Sequence, residues 1–387
     1  MDSGFLRFIT AFLALWGLLH LYVFWRIARL PWVMETIPGW TMALAGVALW
    51  ASYVVARVLD ARGHETAAKV LEPLAVTWIG LFFLLFSLLL AVDLMTLGGL
   101  LGASHVFTLR SIAVISAIIM ALAGIFIATR APTVRDTAVS LPGLSSEHDG
   151  LSLVLISDLH LGSLLGAHWL EKLIAQVNAL KPDIIAIAGD LADHDYARVE
   201  AMLPQLSQLQ APLGVWAVTG NHDAYAGLER MHALMRTAGF HVLSDASAEV
   251  LPGLIMAGVD DLSVPRRMNE NATNAIPRVL EKTPSGAVIL LSHTPHGVEL
   301  AAQAGASLML SGHTHGGQIW PFNLLVRTRF NHVGGVYSVG KMTLIVCRGT
   351  GTWGPRMRLW RPSELWNIRL RAPSEDPTGQ TPPEFSR

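Results

Sequence analysis

The chain of 387 residues has one cysteine, Cys347, so no disulfide can form within it. That thiol follows the apolar run Thr343–Val346 and reads as a small core residue. Charge is scarce: Lys, Arg, Asp and Glu make up 15% of the chain, and the net charge is −1. Nine basic and nine acidic residues precede Leu151; nineteen and twenty follow. With no basic excess in either half, nothing marks nucleic acid as a partner. No internal repeat occurs, which excludes a solenoid.

Apolar residues are what the chain has in quantity. They make up 52% of it, with a mean hydropathy of +0.44, too high for a single soluble domain. Four stretches account for the excess: Phe5–Ile27, Ile37–Leu59, Leu74–Val92 and Ser111–Thr129. Each approaches the ~20 residues a helix needs to cross a bilayer. Tyr22, Trp25, Trp32 and Trp40 stand near their ends, as interfacial anchors do. The first stretch has no small-residue cleavage site, so it reads as a retained helix. Residues 1–130 therefore form a transmembrane region, and the lipid bilayer is the first expected partner.

Arg7, Arg57, Arg62, Lys69, Arg130 and Arg135 fall on one side of these spans; Arg26, Arg29 and Arg110 fall on the other. The positive-inside rule then puts both the N-terminus and the C-terminal domain in the cytoplasm, in a protein of the bacterial inner membrane type. Asp93 lies just past the third stretch and reads as interfacial. The spans lack a polar stripe, so they read as an anchor and not as a transport path.

Residues 131–150 change character, with a short strand near Thr137–Leu141 and then Pro142, Gly143 and two serines. This reads as a linker. Residues 151–371 form the folded domain, and residues 372–387, with four prolines, read as a disordered tail. Within the domain, Leu151–Ile156, Ile184–Ala188, Val215–Val218, Leu254–Val259, Ala287–Leu291 and Leu308–Leu310 are continuous apolar strands, buried on both faces. Helical spacing separates the earlier ones, at Leu170–Leu180 and Met202–Leu209. The fold class is a layered α/β domain.

Short polar motifs follow these strands: Asp158-Leu-His160, Gly189-Asp190, Gly220-Asn-His-Asp223, Ser292-His293 and Gly312-His-Thr-His315. Loops at the carboxyl ends of strands share one edge of a sheet, so distant motifs can converge. The candidate metal ligands are Asp158, His160, Asp190, Asn221, His293, His313 and His315. Oxygen and imidazole donors without thiolate suit Mn, Fe, Zn or Co alike. A carboxylate such as Asp190 has two oxygens and can bridge two ions. One further histidine, His222, is free to act on a substrate. Asp193 reads equally as a support for the site or as a solvated loop carboxylate.

This series, with Gly316-Gly-Gln318 after the last pair, resembles the calcineurin-like metallophosphoesterase superfamily. Its wording is similar to a bacterial membrane-anchored branch with four N-terminal transmembrane helices. The resemblance implies a four-layer α/β/β/α sandwich and two divalent metal ions as cofactors. It implies that Asp158, His160, Asp190 and His315 hold one ion, and that Asp190, Asn221, His293 and His313 hold the other. His222 would protonate the leaving oxygen or stabilise the transition state, and Asp223 would orient it. The expected reaction is hydrolysis of a phosphodiester or pyrophosphate, on a phosphorylated small molecule or a lipid-linked substrate such as a UDP-diacylglucosamine or a phospholipid. Candidate substrate contacts are Arg266, Arg267, Trp320 and Phe322, the last two in an apolar run, residues 319–326, beside His315. Arg356, Arg358 and Arg361 add further candidate anion contacts. Two alternatives stay open: a tethered enzyme on soluble substrates, and a non-catalytic metal-dependent scaffold or sensor.

Overall fold

The computed structural model describes residues 3–264 and 274–373. Arg266, Arg267 and most of the expected disordered tail lie outside them. The chain begins with α1 (Ser3–Ala28), a short α2 (Pro31–Thr36), α3 (Gly39–Ala61), α4 (Glu65–Met95) and α5 (Val106–Thr129). All but α2 are long and apolar enough to cross a membrane. Helix α4 starts earlier than its apolar run, because its polar first turns are held by pairing. Lys69 meets Glu65 one turn away at 3.0 Å, and Arg57 of α3 approaches Glu72 at 3.5 Å. Asp93 is not interfacial. It is buried inside the bundle, where it takes hydrogen bonds from Tyr22 (2.6 Å) and Arg110 (2.7 and 3.0 Å) and pairs with Arg26 (2.7 Å). A carboxylate ringed by three donors can stay in the apolar bundle, because each lone pair lost to water is replaced.

Two six-stranded sheets follow. In the first, β1 (Thr133–Ser140), β12 (Glu364–Arg371), β2 (Ser152–Ile156), β3 (Ile184–Ala188), β4 (Val215–Val218) and β5 (His241–Val242) lie side by side in that order. In the second the order is β10 (Gly335–Val339), β11 (Met342–Val346), β9 (Leu308–Ser311), β8 (Ala287–Ser292), β7 (Leu254–Val259) and β6 (Ala246–Leu251). Strands β2 to β5 are parallel, as are β7, β8, β9 and β11. The stretch read as a linker supplies a full edge strand, β1, paired along its length with β12.

Side chains alternate across each strand. Leu153 and Leu155 of β2 meet Leu254, Met256 and Ile289 of the opposite sheet, forming the central core. Val154 and Ile156 turn outward beneath α6 (Ala167–Ala179), α7 (Tyr196–Glu200), α8 (Leu203–Leu206) and α9 (Asn221–Thr237). On the far side, Ile255, Leu290 and Met309 pack under α10 (Ala275–Leu280) and α11 (Val298–Gln303). The result is an α/β/β/α sandwich preceded by four long apolar helices.

The bundle and the sandwich are packed together. Ile319, Met357 and Leu359 are buried among Phe82, Leu85 and Ala121. A Cβ added at Gly80 of α4 would stand 2.7 Å from Met357 Sδ and 2.9 Å from Pro355, so the helix is notched to admit this loop. The Arg358 backbone N–H donates to the Gly124 carbonyl of α5 at 2.9 Å.

Candidate metal centre

The five motifs leave β2, β3, β4, β8 and β9 at their carboxyl ends, and the turns there are tight. Five of the seven candidate ligands have left-handed backbones: Asp158 (φ 53°), His160 (46°), Asp190 (53°), His313 (69°) and His315 (49°). For residues with a Cβ this costs about 1–2 kcal/mol each, and such strain concentrates at functional sites. The glycines beside them are there for closeness. A Cβ on Gly220 would fall 2.1 Å from Asp190 Oδ1, and one on Gly312 would fall 2.4 Å from Asp158 Oδ2.

Three groups of donors result, two built from the candidate ligands and a third from His160, Asp193 and His222. In the first, His160 Nε2 and His315 Nε2 face each other at 3.0 Å, and Asp158 Oδ1 lies 3.4 Å from His315 Nε2. In the second, His293 Nε2 stands 3.2 Å from His313 Nδ1 and 3.1 Å from Asp190 Oδ2. That same Asp190 Oδ2 is 3.7 Å from His160 Nε2, so it reaches both groups. Its other oxygen, Oδ1, accepts the His222 backbone N–H at 2.8 Å, which fixes the carboxylate's orientation. His293 donates from Nδ1 to the Ala188 carbonyl at 2.8 Å, leaving the Nε2 lone pair turned inward.

Asn221 supplies the test of fit. Its buried Oδ1 has no hydrogen-bond partner among the described residues. An orphaned amide oxygen beside imidazoles and carboxylates fits a neutral ligand to a cation. The His and Asp side chains thus form clusters consistent with a dinuclear metal site.

The electrostatics agree with cation binding. Burial, helped by the charge on His293, lowers the His313 pKa to about 4. Burial and the neighbouring His160 push His315 well down too, so both imidazoles offer free lone pairs. His293 goes the other way: burial opposes its charge, but Asp190, Asp261 and Asp158 outweigh burial and raise it. Binding an ion through Nε2 requires the neutral ring, so metal binding here would release any proton held there.

The carboxylate that supports His222 is not Asp223. Asp223 stands in the first turn of α9, and its carboxylate accepts backbone N–H groups from Gly220 (2.9 Å), Ala192 (2.8 Å) and Leu191 (3.2 Å). It is spent on closing that turn, and burial with the charge of Asp190 raises its pKa to about 6. Asp193 faces His222 instead. His222 donates from Nδ1 to the Asp193 carbonyl at 2.5 Å, and Asp193 Oδ1 is 3.4 Å from the same nitrogen. Burial resists protonation of His222, but Asp193 and Asp190 together raise its pKa to about 9. The imidazolium is the form that can donate a proton. Asp193→Asn removes part of that support, so the alkaline limb of the kcat–pH profile is expected to move to lower pH. A pH profile of the purified variant checks this; an unmoved limb contradicts it.

Other candidates separate clearly. Phe322 stacks edge-to-face on Phe83 of α4, with centroids 6.0 Å apart, and Trp320 packs against the same bundle. Arg358 is not an anion contact: it is fully buried and donates to the Gly349 and Gly351 carbonyls at 3.1 and 2.7 Å. Leu159 is core, pointing away from its ligand neighbours. Asp261 is buried 3.9 Å from His293 Nε2 and accepts from Thr294 Oγ1 at 2.8 Å. The one sequence signal for Asp193 was its spacing in Gly189-Asp-Leu-Ala-Asp193.

A sandwich with paired His/Asp clusters at the strand ends defines a metallophosphoesterase. Residues 151–317 match the family profile described as calcineurin-like phosphoesterase. A transmembrane protein with a metallophosphoesterase domain from Danio rerio is 33% identical over 328 residues, 79% of this chain and 75% of that one. An uncharacterized metallophosphoesterase of Campylobacter jejuni is 32% identical over 318 residues, covering 78% and 83% of the two chains. A dimetal phosphatase structure from Danio rerio aligns at 14% identity with a TM-score of 0.33, over 52% of this chain and 88% of that one. The chain belongs to the calcineurin-like metallophosphoesterase family, with relatives that are themselves named transmembrane proteins.

Proposed function

We propose that this enzyme hydrolyses a phosphodiester or pyrophosphate in an amphiphilic, lipid-linked substrate, with its catalytic domain on the cytoplasmic side. Asp158, His160, Asp190 and His315 would hold one divalent ion and Asp190, Asn221, His293 and His313 a second; such ions would supply water activation and charge neutralisation at the phosphoryl group. His222 holds a proton on the ring nitrogen opposite Asp193 and delivers it to the leaving oxygen. Asp190 orients His222 by accepting its backbone N–H while bridging the two donor groups.

The observation that carries the substrate reading is the seating of the segments next to His315. Gly80 lies about 10 Å beyond Pro73 along α4, and Phe83 about 15 Å, by the rise of a helix. The segments touching them, around Met357 and Phe322, pack on the apolar part of α4, which supports reading them as level with hydrocarbon. Helix α12 (Phe322–Arg329) exposes Leu324 and Leu325 on this side. Beside it, a cavity of about 700 Å³ is lined by Trp320, Trp360, Asn323, Arg327 and Arg361. Aromatic rims and guanidinium groups suit an anionic head group at an interface.

A panel tests this: bis-p-nitrophenyl phosphate, p-nitrophenyl phosphate, a nucleotide-linked diacyl sugar and a phospholipid, given to the manganese-loaded full chain in micelles. Higher kcat/KM on the lipid forms is expected. Preference for the soluble esters would favour the tethered-enzyme alternative, and no turnover with two metals bound would favour a scaffold.

A further inference from the structure

Asp193, which faces His222, is itself held from the membrane region. His194 donates from Nδ1 to Asp193 Oδ2 at 2.8 Å. On the other side of that ring, Nε2 lies 2.7 Å from Nη1 of Arg57, near the end of α3. A guanidinium has no acceptor and keeps its protons, so His194 Nε2 must be the acceptor. The ring is therefore neutral with its proton on Nδ1, the tautomer that donates to Asp193. With Oδ2 held by His194, Asp193 turns Oδ1 toward His222 (3.4 Å) and His160 (3.5 Å). Arg57 has fixed surroundings of its own: Glu72 of α4 at 3.5 Å and Asp60 at 3.7 Å. A second bridge runs beside it, from Arg198 to Asp60 at 3.2 Å, and does not reach His222.

We propose that Arg57, carried by a membrane helix, is a positioning residue for His222, acting through the tautomer of His194 and the carboxylate of Asp193. The transmembrane region would then be part of the catalytic apparatus. The inference rests on the reading that His222 acts at the phosphoryl group.

The bland alternative is that Arg57 only helps fasten the bundle to the sandwich, and the two bridges separate these cases. Arg57→Met removes the donor at similar length. A support behind a catalytic group is typically worth 10–100-fold. On a phosphodiester with an alkoxide leaving group, we expect kcat to fall about tenfold, within that range, with KM and bound metal unchanged. Arg57→Lys should recover part of the loss, and His194→Phe should reproduce it. Neither Arg57→Met nor His194→Phe should reduce kcat further in an Asp193→Asn background. Arg198→Met, which breaks the second bridge and the Arg198–Asp195 pair but leaves the Arg57–His194 contact, should stay near wild type. Equal losses in Arg57→Met and Arg198→Met, or additivity with Asp193→Asn, would overturn the proposal. A readout independent of turnover is the nitrogen-15 spectrum of the zinc-loaded full chain with labelled histidine, assigned by the His194→Phe difference. His194 is expected as the Nδ1–H tautomer, and an Nε2–H tautomer in the wild type would refute the relay even where Arg57→Met fails to fold. If His222→Ala leaves kcat unchanged while the tautomer is as expected, the reading of His222 has failed and not the bridge.

Discussion

Asp190→Asn is expected to empty the metal centre and to lower kcat by about 10³-fold or more. The size follows from what is lost: metal ions supply several kcal/mol of transition-state stabilisation, and each ~1.4 kcal/mol is tenfold in rate. Among the described residues, Asp190 has an oxygen that reaches both donor groups, at 3.1 Å from His293 and 3.7 Å from His160. Asparagine is the right replacement, because it tolerates the left-handed backbone at this position (φ 53°). It can also still accept the His222 N–H. What goes is the negative charge and the second anionic oxygen. Elemental analysis of the purified variant reads the metal directly. Two ions per chain with near-wild-type kcat would show that Asp190 does not bridge.

His222→Ala is expected to do the opposite to metal and a similar thing to rate. Bound metal should stay, since no candidate ligand depends on this ring. Turnover should fall by about 10²–10⁴-fold, the usual worth of a positioned general acid. The loss should be largest on esters with poor leaving groups, which need protonation most. It should shrink on p-nitrophenyl esters, whose leaving oxygen needs little help. Equal losses on both would argue that the ring stabilises phosphoryl charge and does not pass a proton. An unchanged kcat would remove His222 from the mechanism.

The two sheets were legible where strands are buried on both faces, because each then reads as an unbroken apolar run. Strands β2, β3, β4, β7, β8 and β9 all match this pattern, and all but β7 carry a motif at their ends. The edge strands were not legible in the same way. Strand β1 (Thr133–Ser140) has no unbroken apolar run, so only its second half, near Thr137–Leu141, was legible; its pairing with β12, over two hundred residues away, leaves no local signal. The metal donors could be read from residue type and order, because few other residues have the lone pairs. The partner of His222 could not. Asp223 is its neighbour in sequence, but the start of α9 turns that carboxylate back onto backbone N–H groups. Only the folded chain brings Asp193 to the ring. Asp93 was misjudged for the same reason, since its partners Tyr22, Arg26 and Arg110 come from two other helices.

The loop from Pro355 to Leu359, seated in the notch of α4 and bonded to Gly124 of α5, sets the protein's relation to its host bilayer. A domain on a slack tether would be indifferent to membrane thickness. This one is clamped to its spans at a fixed height. If the surrounding hydrocarbon thickens or thins, the helices must tilt or the lipid must deform, at fractions of a kcal/mol per ångström. Either response carries the metal centre with it, up or down relative to the lipid head groups. Lipid composition would thereby reach catalysis as a change of altitude, with no ligand and no conformational switch in the domain.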